Sequence, residues 1–346
     1  MEAKPFKTFK EQCEYLNEEK GIITDFEKHK EYLIKIGYFN IINAYKLPFV
    51  DRIEVDKDGK SKHFYMKNTY FEYLLRVYEF DSSLRRNLFI VLTNLEQEIK
   101  NLYAYIIGLK NTNNKEWHSL DLFNYSKTDE EIENVINSIK NRLDHKNNYK
   151  YLGHYKDKYG ELPIWIVLKN IMLSDFIDFI KIMSPDVNGL LSKVYDFTYF
   201  DDDREKIDFK NLINYLNLIR EYRNACAHTE RTYHLMKTYE RSSLRSSAGF
   251  NKFMKNPIRY TRTNNNPISL IDLLVCLKYF LKHSDYYSLI NKIVLDLEKL
   301  KEDIPLSPYE KVLSDLGAKS IEDLAFLANN NLVIPNYHIL GWLNII

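Results

Sequence analysis

Leu216 to Arg231 reads LNLIREYRNACAHTER, and the reading of these residues decides what the remainder of the chain has to build. Arg223 and Asn224 stand side by side, and His228 follows Asn224 by four residues, with only Ala225, Cys226 and Ala227 between. An arginine fork holds a phosphate through paired donors, and an imidazole exchanges a proton near neutral pH. The small residues leave room for another helix or an RNA strand to come close. Five residues turn an ideal helix by roughly 500°, so Arg223 and His228 do not share a face. They meet only if the helix ends or distorts between them, or if a second copy of the chain supplies one of the pair. The competing reading is an amphipathic helix end with a solvated Arg223 and a capping His228. Spacing does not separate the two, since chance places about one such Arg/His pair in a chain of this composition.

The 346 residues suffice for one large or two ordinary domains. Hydrophobic residues at 45% and charged residues at 28% are a globular balance. With only 10 Gly and 9 Pro, breakers are scarce, and an all-α fold is expected rather than a turn-rich β architecture. A formal net charge of +1 exerts no global pull on nucleic acid, so any attraction has to come from local patches. Cys13, Cys226 and Cys276 lie far apart without a CxxC pair, which speaks against a zinc or disulfide framework and for a reducing cytoplasm. The opening MEAKPFKTFK has no apolar signal core. Leu332 to Ile346 is apolar but interrupted, too short to span a bilayer and better suited to docking.

Outward from the central stretch, three regions are expected. Residues 1–65 form an N-terminal helical region, with helices from Thr8 to Gly21 and from about Asp25, then a turn or short hairpin over Asp51 to Lys62. Residues 66–300 form the bundle. In it, Tyr70, Phe71, Leu74, Val77 and Tyr78 recur at helical intervals. Asp81-Ser82-Ser83 reads as the N-cap of a further helix to about Leu109. Glu96 on that helix is either one half of a surface pair with Lys100 or the residue that orients an arginine on a facing helix. Residues 110–160 read as a polar insertion with one helix near Asp129 to Leu143. Leu162-Pro163-Ile164-Trp165 opens an apolar helix to about Met183. A helical hairpin covers Ile268 to Leu300, and residues 301–346 form a C-terminal docking segment.

Between Arg231 and Arg262 there are eight Lys or Arg against one acid, Glu240, with aromatic residues interleaved and serines throughout. Such a basic loop grips single-stranded or looped RNA through Lys237, Arg241, Arg245, Lys252, Lys255, Arg259 and Arg262. The plainer alternative is a solvated surface loop. The sequence contains no phosphate-binding glycine loop, HExxH, GxSxG or two-metal carboxylate cluster.

Five blocks in order carry a family resemblance: Lys4-Pro5 with Glu11-Gln12 and Gly21; Ile36-Gly37-Tyr38-Phe39 with Tyr45; Tyr78, Phe80, Asp81, Leu84 and Arg85; Leu162-Pro163-Ile164-Trp165; and Arg223-Asn224-x-Cys226-Ala227-His228 with Arg231. Together they resemble the Abi-like proteins of bacterial abortive infection, of the AbiD and AbiF type, within the HEPN superfamily. Asn40, Ser174 and Thr229 depart from that pattern, where arginine, glycine and a second histidine are frequent. The departure at Thr229 leaves His228 as the one proton carrier of its block.

The resemblance implies a dimerising HEPN-type helical bundle with added helices, and a metal-independent endoribonuclease without cofactor that serves as a toxin-type anti-phage effector. In that expectation Arg223, Asn224 and His228 are catalytic, supported by Glu96 and Arg231. One Arg-His motif per chain makes a homodimer the complete unit. The substrate is RNA, with a structured small RNA as a possible antidote. DNA, lacking the 2′-OH, is no substrate, and no membrane is involved. The alternative is a non-catalytic module that grips a structured RNA or a phage component.

Overall fold

The structure, a computed structural model, describes residues 5–57, 59, 61–111, 116–119, 122–124, 126–145, 150–195, 197–198, 204–205, 209–235 and 269–329. The chain is mostly helical with little strand, as its scarcity of breakers requires. Helix α1 (Phe9–Lys20) begins at Thr8, where the Thr8 hydroxyl and the Glu11 carboxylate cap each other's backbone N–H. It ends at Gly21, whose φ of 65° favours glycine. Asp25 caps α2 (Phe26–Lys35). A π turn at Phe39–Asn43 and a 3₁₀ turn at Leu47–Phe49 lead into the hairpin of β2 (Val50–Val55) and β3 (Ser61–Tyr65). Before them, β1 (Ile22–Ile23) pairs in parallel with β4 (Thr69–Tyr70).

The organising element is α3 (Phe71–Lys110), a single helix of 40 residues. It is continuous where the sequence pointed to a break with an N-cap at Asp81. No Gly or Pro occurs between Phe71 and Ile107, and Asp81, fully buried, faces inward on the same stripe as Leu84, Arg85 and Leu88. An uninterrupted apolar stripe needs no break.

The insertion forms two helices rather than one, α4 (Asp129–His145) and α5 (Lys150–Tyr159). The apolar segment after Pro163 also differs from the single helix expected. It forms α6 (Ile164–Asn170) and α7 (Leu173–Ile182), because Ile171 and Met172 are extended and the Asp175 carboxylate caps the Met172 N–H at 3.2 Å. Then follow α8 (Pro185–Val194), a short β5/β6 pair (Phe197–Thr198 with Arg204–Glu205) and α9 (Phe209–Ala227). The expected hairpin appears as α10 (Leu270–Leu277) and α11 (His283–Asp303). Beyond it lie two further helices, α12 (Leu306–Leu316) and α13 (Ile321–Asn329). Residues 301–329 of the expected docking segment are thus largely helical and part of the bundle, and its last 17 residues, 330–346, lie outside the described residues.

Helix α3 packs against α6, α8, α9 and α11. One buried apolar cluster runs from Cys13 to Ala328, so all three regions expected from the sequence contribute to one core. No helix among the described residues is long and apolar enough to cross a membrane.

Candidate functional site: the seam between α3 and α9

Ala225 and Cys226 are buried, so the small residues of the central stretch let α9 lie close to α3. Across that seam the Arg223 Nε stands 3.2 Å from Glu96 Oε2, a charge contact without the linear geometry of a hydrogen bond. Its Nη1 donates to Asn224 Oδ1 at 3.1 Å. Glu96 does pair with Lys100 four residues on, at 2.7 Å, but both are buried, so the pair is no surface bridge. Lys100 Nζ also donates to Ile171 O at 2.8 Å. That carbonyl is free for it because the backbone is extended between α6 and α7. A chain of contacts therefore runs from the broken apolar helix through Lys100 and Glu96 to Arg223. Arg223 itself is about one-third exposed.

The helix ends just past this point. The Glu230 N–H reaches Ala225 O at 2.9 Å, and the Thr229 N–H reaches Cys226 O at 3.4 Å. This is the Schellman arrangement, which needs a left-handed residue where glycine is usual. Thr229 fills that position with a φ of 56°. A β-branched residue there is strained. His228, the C-cap, keeps its N–H on Asn224 O at 2.9 Å and is exposed, without a side-chain hydrogen bond among the described residues. The Asn224 side chain thus serves Arg223 rather than the His228 ring.

A second buried cluster holds the chain immediately after His228. Asp81 accepts Tyr45 Oη at 2.7 Å and pairs with Arg85. It also takes the backbone N–H of Tyr233 at 2.8 Å and that of Thr232 at 3.1 Å. Asp81 does act as a cap, but for the segment after α9 and not for its own helix. Arg85 donates to Tyr45 Oη at 2.8 Å and lies 3.4 Å from Glu230 O. Burial pushes the Asp81 carboxyl up from its ordinary value, opposed by Arg85 and by its three other donors, Tyr45, Tyr233 and Thr232. Burial likewise pushes the Cys226 thiol up to about 12, which makes it a packing residue and not a nucleophile. Arg231 donates to Ala44 O at 2.8 Å and stacks near Tyr233, so it ties this segment to the N-terminal region, away from Arg223.

Of the residues singled out in the sequence, the fold brings together Glu96, Arg223 and Asn224, with His228 at the helix end beside them. Lys237, Arg241, Arg245, Lys252, Lys255, Arg259 and Arg262 lie outside the described residues. Sequence reasoning did not assign the supports Lys100, Asp81, Arg85 and Tyr45. The i,i+4 spacings of Asp81 with Arg85 and of Glu96 with Lys100 were the local signals for them.

These features define a mostly helical bundle in which a buried glutamate of α3 meets an arginine near the end of α9, with an exposed histidine at the stop of that helix. The sequence model of the Abi-like protein family matches residues 31–234, more than half of the 346-residue chain, and the chain belongs to that family. Membership suggests a part in abortive infection and phage defence. The matched span contains both clusters in full. No curated protein and no solved structure matches the chain.

Proposed function

We propose that this Abi-like protein is a metal-independent endoribonuclease of the HEPN superfamily, of the AbiD and AbiF type, acting as an anti-phage effector from a site shared by two copies of the chain. The observation that carries the reading is the contact of Glu96 with Arg223 beside an exposed His228. Glu96 and Asn224 engage Nε and Nη1 of the guanidinium and leave Nη2 unpaired among the described residues. That is the arrangement needed to present a fixed cation to a phosphate.

RNA brings its own nucleophile. Cleavage requires the 2′-OH to lose a proton, the phosphorane-like transition state to be stabilised, and the 5′-oxygen to gain a proton as it leaves. Arg223 meets the phosphate charge, and His228 moves protons. One imidazole does not serve as acid and base in the same step. The His228 N–H still follows the helical track to Asn224 O, so its ring leaves the axis about 140° from Arg223. Both facts favour a second copy across a two-fold axis, which supplies a second imidazole. The products are a 2′,3′-cyclic phosphate and a 5′-OH end, and DNA is spared.

The test is cleavage of labelled RNA by purified protein in excess EDTA. His228→Ala and Arg223→Ala each reduce the rate by about a hundred- to ten-thousand-fold. Mixing equal amounts of wild type and His228→Ala, with subunits allowed to exchange, leaves roughly a quarter of the activity if the site is shared. Half of the activity would show that each chain works alone. Retained RNA binding and growth arrest in His228→Ala, with no cleavage by the wild type, would replace this reading with a non-catalytic RNA-binding module.

A further inference from the structure

Where the insertion begins and where it ends, two chain segments meet through three ligand-type side chains. Glu116, His118 and Glu161 place one nitrogen and two oxygens within 4.8 Å of one another. The His118 Nε2 stands 3.2 Å from Glu116 Oε2 and 3.1 Å from Glu161 Oε1. A zinc-sized ion holds N and O ligands at about 2.0–2.2 Å, which sets neighbouring ligands roughly 3.0–3.5 Å apart. The two separations from His118 Nε2 fall within that range. A ring nitrogen carries at most one proton and directs it at one acceptor, yet two carboxylate oxygens stand almost equally near. The second oxygen of Glu161 is itself buried and has no hydrogen-bond partner. The cluster is rich in lone pairs and poor in protons.

The surroundings fix His118 and the approach to Glu161, while the Glu116 side chain is more than half exposed. Trp117 is buried, packs on Phe179 with ring centroids 6.0 Å apart, and meets the His118 ring edge-on at 5.2 Å. Gly160, with a φ of 81°, closes the end of α5 and turns the chain so that Glu161 follows at once, just ahead of α6.

We propose that Glu116, His118 and Glu161 bind a divalent transition cation of the zinc or manganese type, with water completing its shell. One imidazole with two carboxylates suits these borderline ions. The ion clips the start of the insertion to the entry of α6 and closes a loop that contains α4 and α5. The far end of α6 supplies the Ile171 carbonyl to Lys100. The clip is independent of the proposed cleavage reaction and takes part in no step of it.

The test uses the full chain, stripped with a chelator and dialysed. Titration with ZnCl2 or MnCl2 by calorimetry gives one ion per chain, and saturation raises Tm by about 3 °C. His118→Asn and Glu161→Gln each weaken binding at least tenfold and remove the Tm response, while melting like the stripped wild type when no metal is present. RNA cleavage by the same variants, assayed separately, stays at the wild-type rate. No saturable binding to the wild type, or equal affinity in both variants, overturns the site. In that case the cluster is a histidine shared between two glutamates.

Discussion

At one end of the α3–α9 seam Asp81 is fully buried and meets donors from Tyr45, Arg85, Thr232 and Tyr233. At the other end Glu96 is also buried, but the arginine it holds is about one-third exposed, and the histidine beyond it is open to solvent with no bond to its ring among the described residues. Both ends use an acid on α3 to hold something from α9 or just after it. The Asp81 end pairs the charges it buries with donors and acceptors on every side, which is how a buried charge is tolerated. The Glu96 end leaves donors pointing outward, which a stability device has no reason to do. A closed network fixes where the helix must stop, and an open one sits at that stop. The Asp81 cluster thus positions the chain from Glu230 to Tyr233, and through it the turn that carries His228.

This contrast breaks most severely at Asp81. Asp81→Ala strands a buried guanidinium and two backbone N–H groups at once, and it is expected to cost about 3–5 kcal/mol in urea unfolding. The double variant Asp81→Leu with Arg85→Met removes both charges together and recovers much of that loss, because matched apolar replacements of buried pairs are often neutral. His228→Ala, in contrast, leaves the unfolding midpoint where it was, since its exposed ring has no partner among the described residues to lose. Equal stability losses at Asp81 and His228 would erase the distinction between the two ends.

Much of this was legible in the residues and some of it was not. The helical character, the caps at Thr8, Asp25 and Gly21, and the hairpin after Val50 follow from local chemistry. So did the partnership of Glu96 with an arginine on a facing helix. Asp81 misled because an acid before two serines carries the chemistry of an N-cap. Its partners lie 36 residues away at Tyr45 and 151 away at Thr232, beyond the reach of any spacing rule. The break after Asn170 was hidden for a related reason: neither Gly nor Pro marks it, and the carbonyl it exposes is claimed by a lysine 71 residues earlier. The end of α9 was equally silent, because a threonine occupies the left-handed position where glycine would have announced it.

A smaller effect is expected at Glu96, and it sharpens the comparison because this residue faces both ways. Glu96→Gln keeps the shape and one acceptor for Lys100 but removes the charge that Lys100 and Arg223 share. A loss of about 2 kcal/mol is expected, less than at Asp81 because Arg223 can turn its charge to water. RNA cleavage falls by about tenfold through a misplaced guanidinium. In a double-mutant cycle, Glu96→Gln and Arg223→Ala are strongly coupled in cleavage, whereas Glu96→Gln and Asp81→Asn add independently in stability. Additive effects of Glu96 and Arg223 on cleavage would detach the glutamate from the site.

The smallest effect lies at the turn between the two clusters. Thr229 holds a φ of 56°, a region that disfavours a β-branched residue by roughly 1–2 kcal/mol and leaves glycine unpenalised. Thr229→Gly relieves that strain but loosens the unfolded chain, so a net gain of about 1 kcal/mol in stability is expected. Thr229→Ala retains the left-handed penalty and should gain little, which isolates the backbone effect from loss of the hydroxyl. If the strained turn is kept because it fixes His228, Thr229→Gly is more stable yet cleaves RNA more slowly, with Thr229→Ala between wild type and glycine. A glycine variant that is both more stable and fully active would mean that the Asp81 clamp alone positions the histidine, and that the threonine at the stop of α9 contributes nothing to the site.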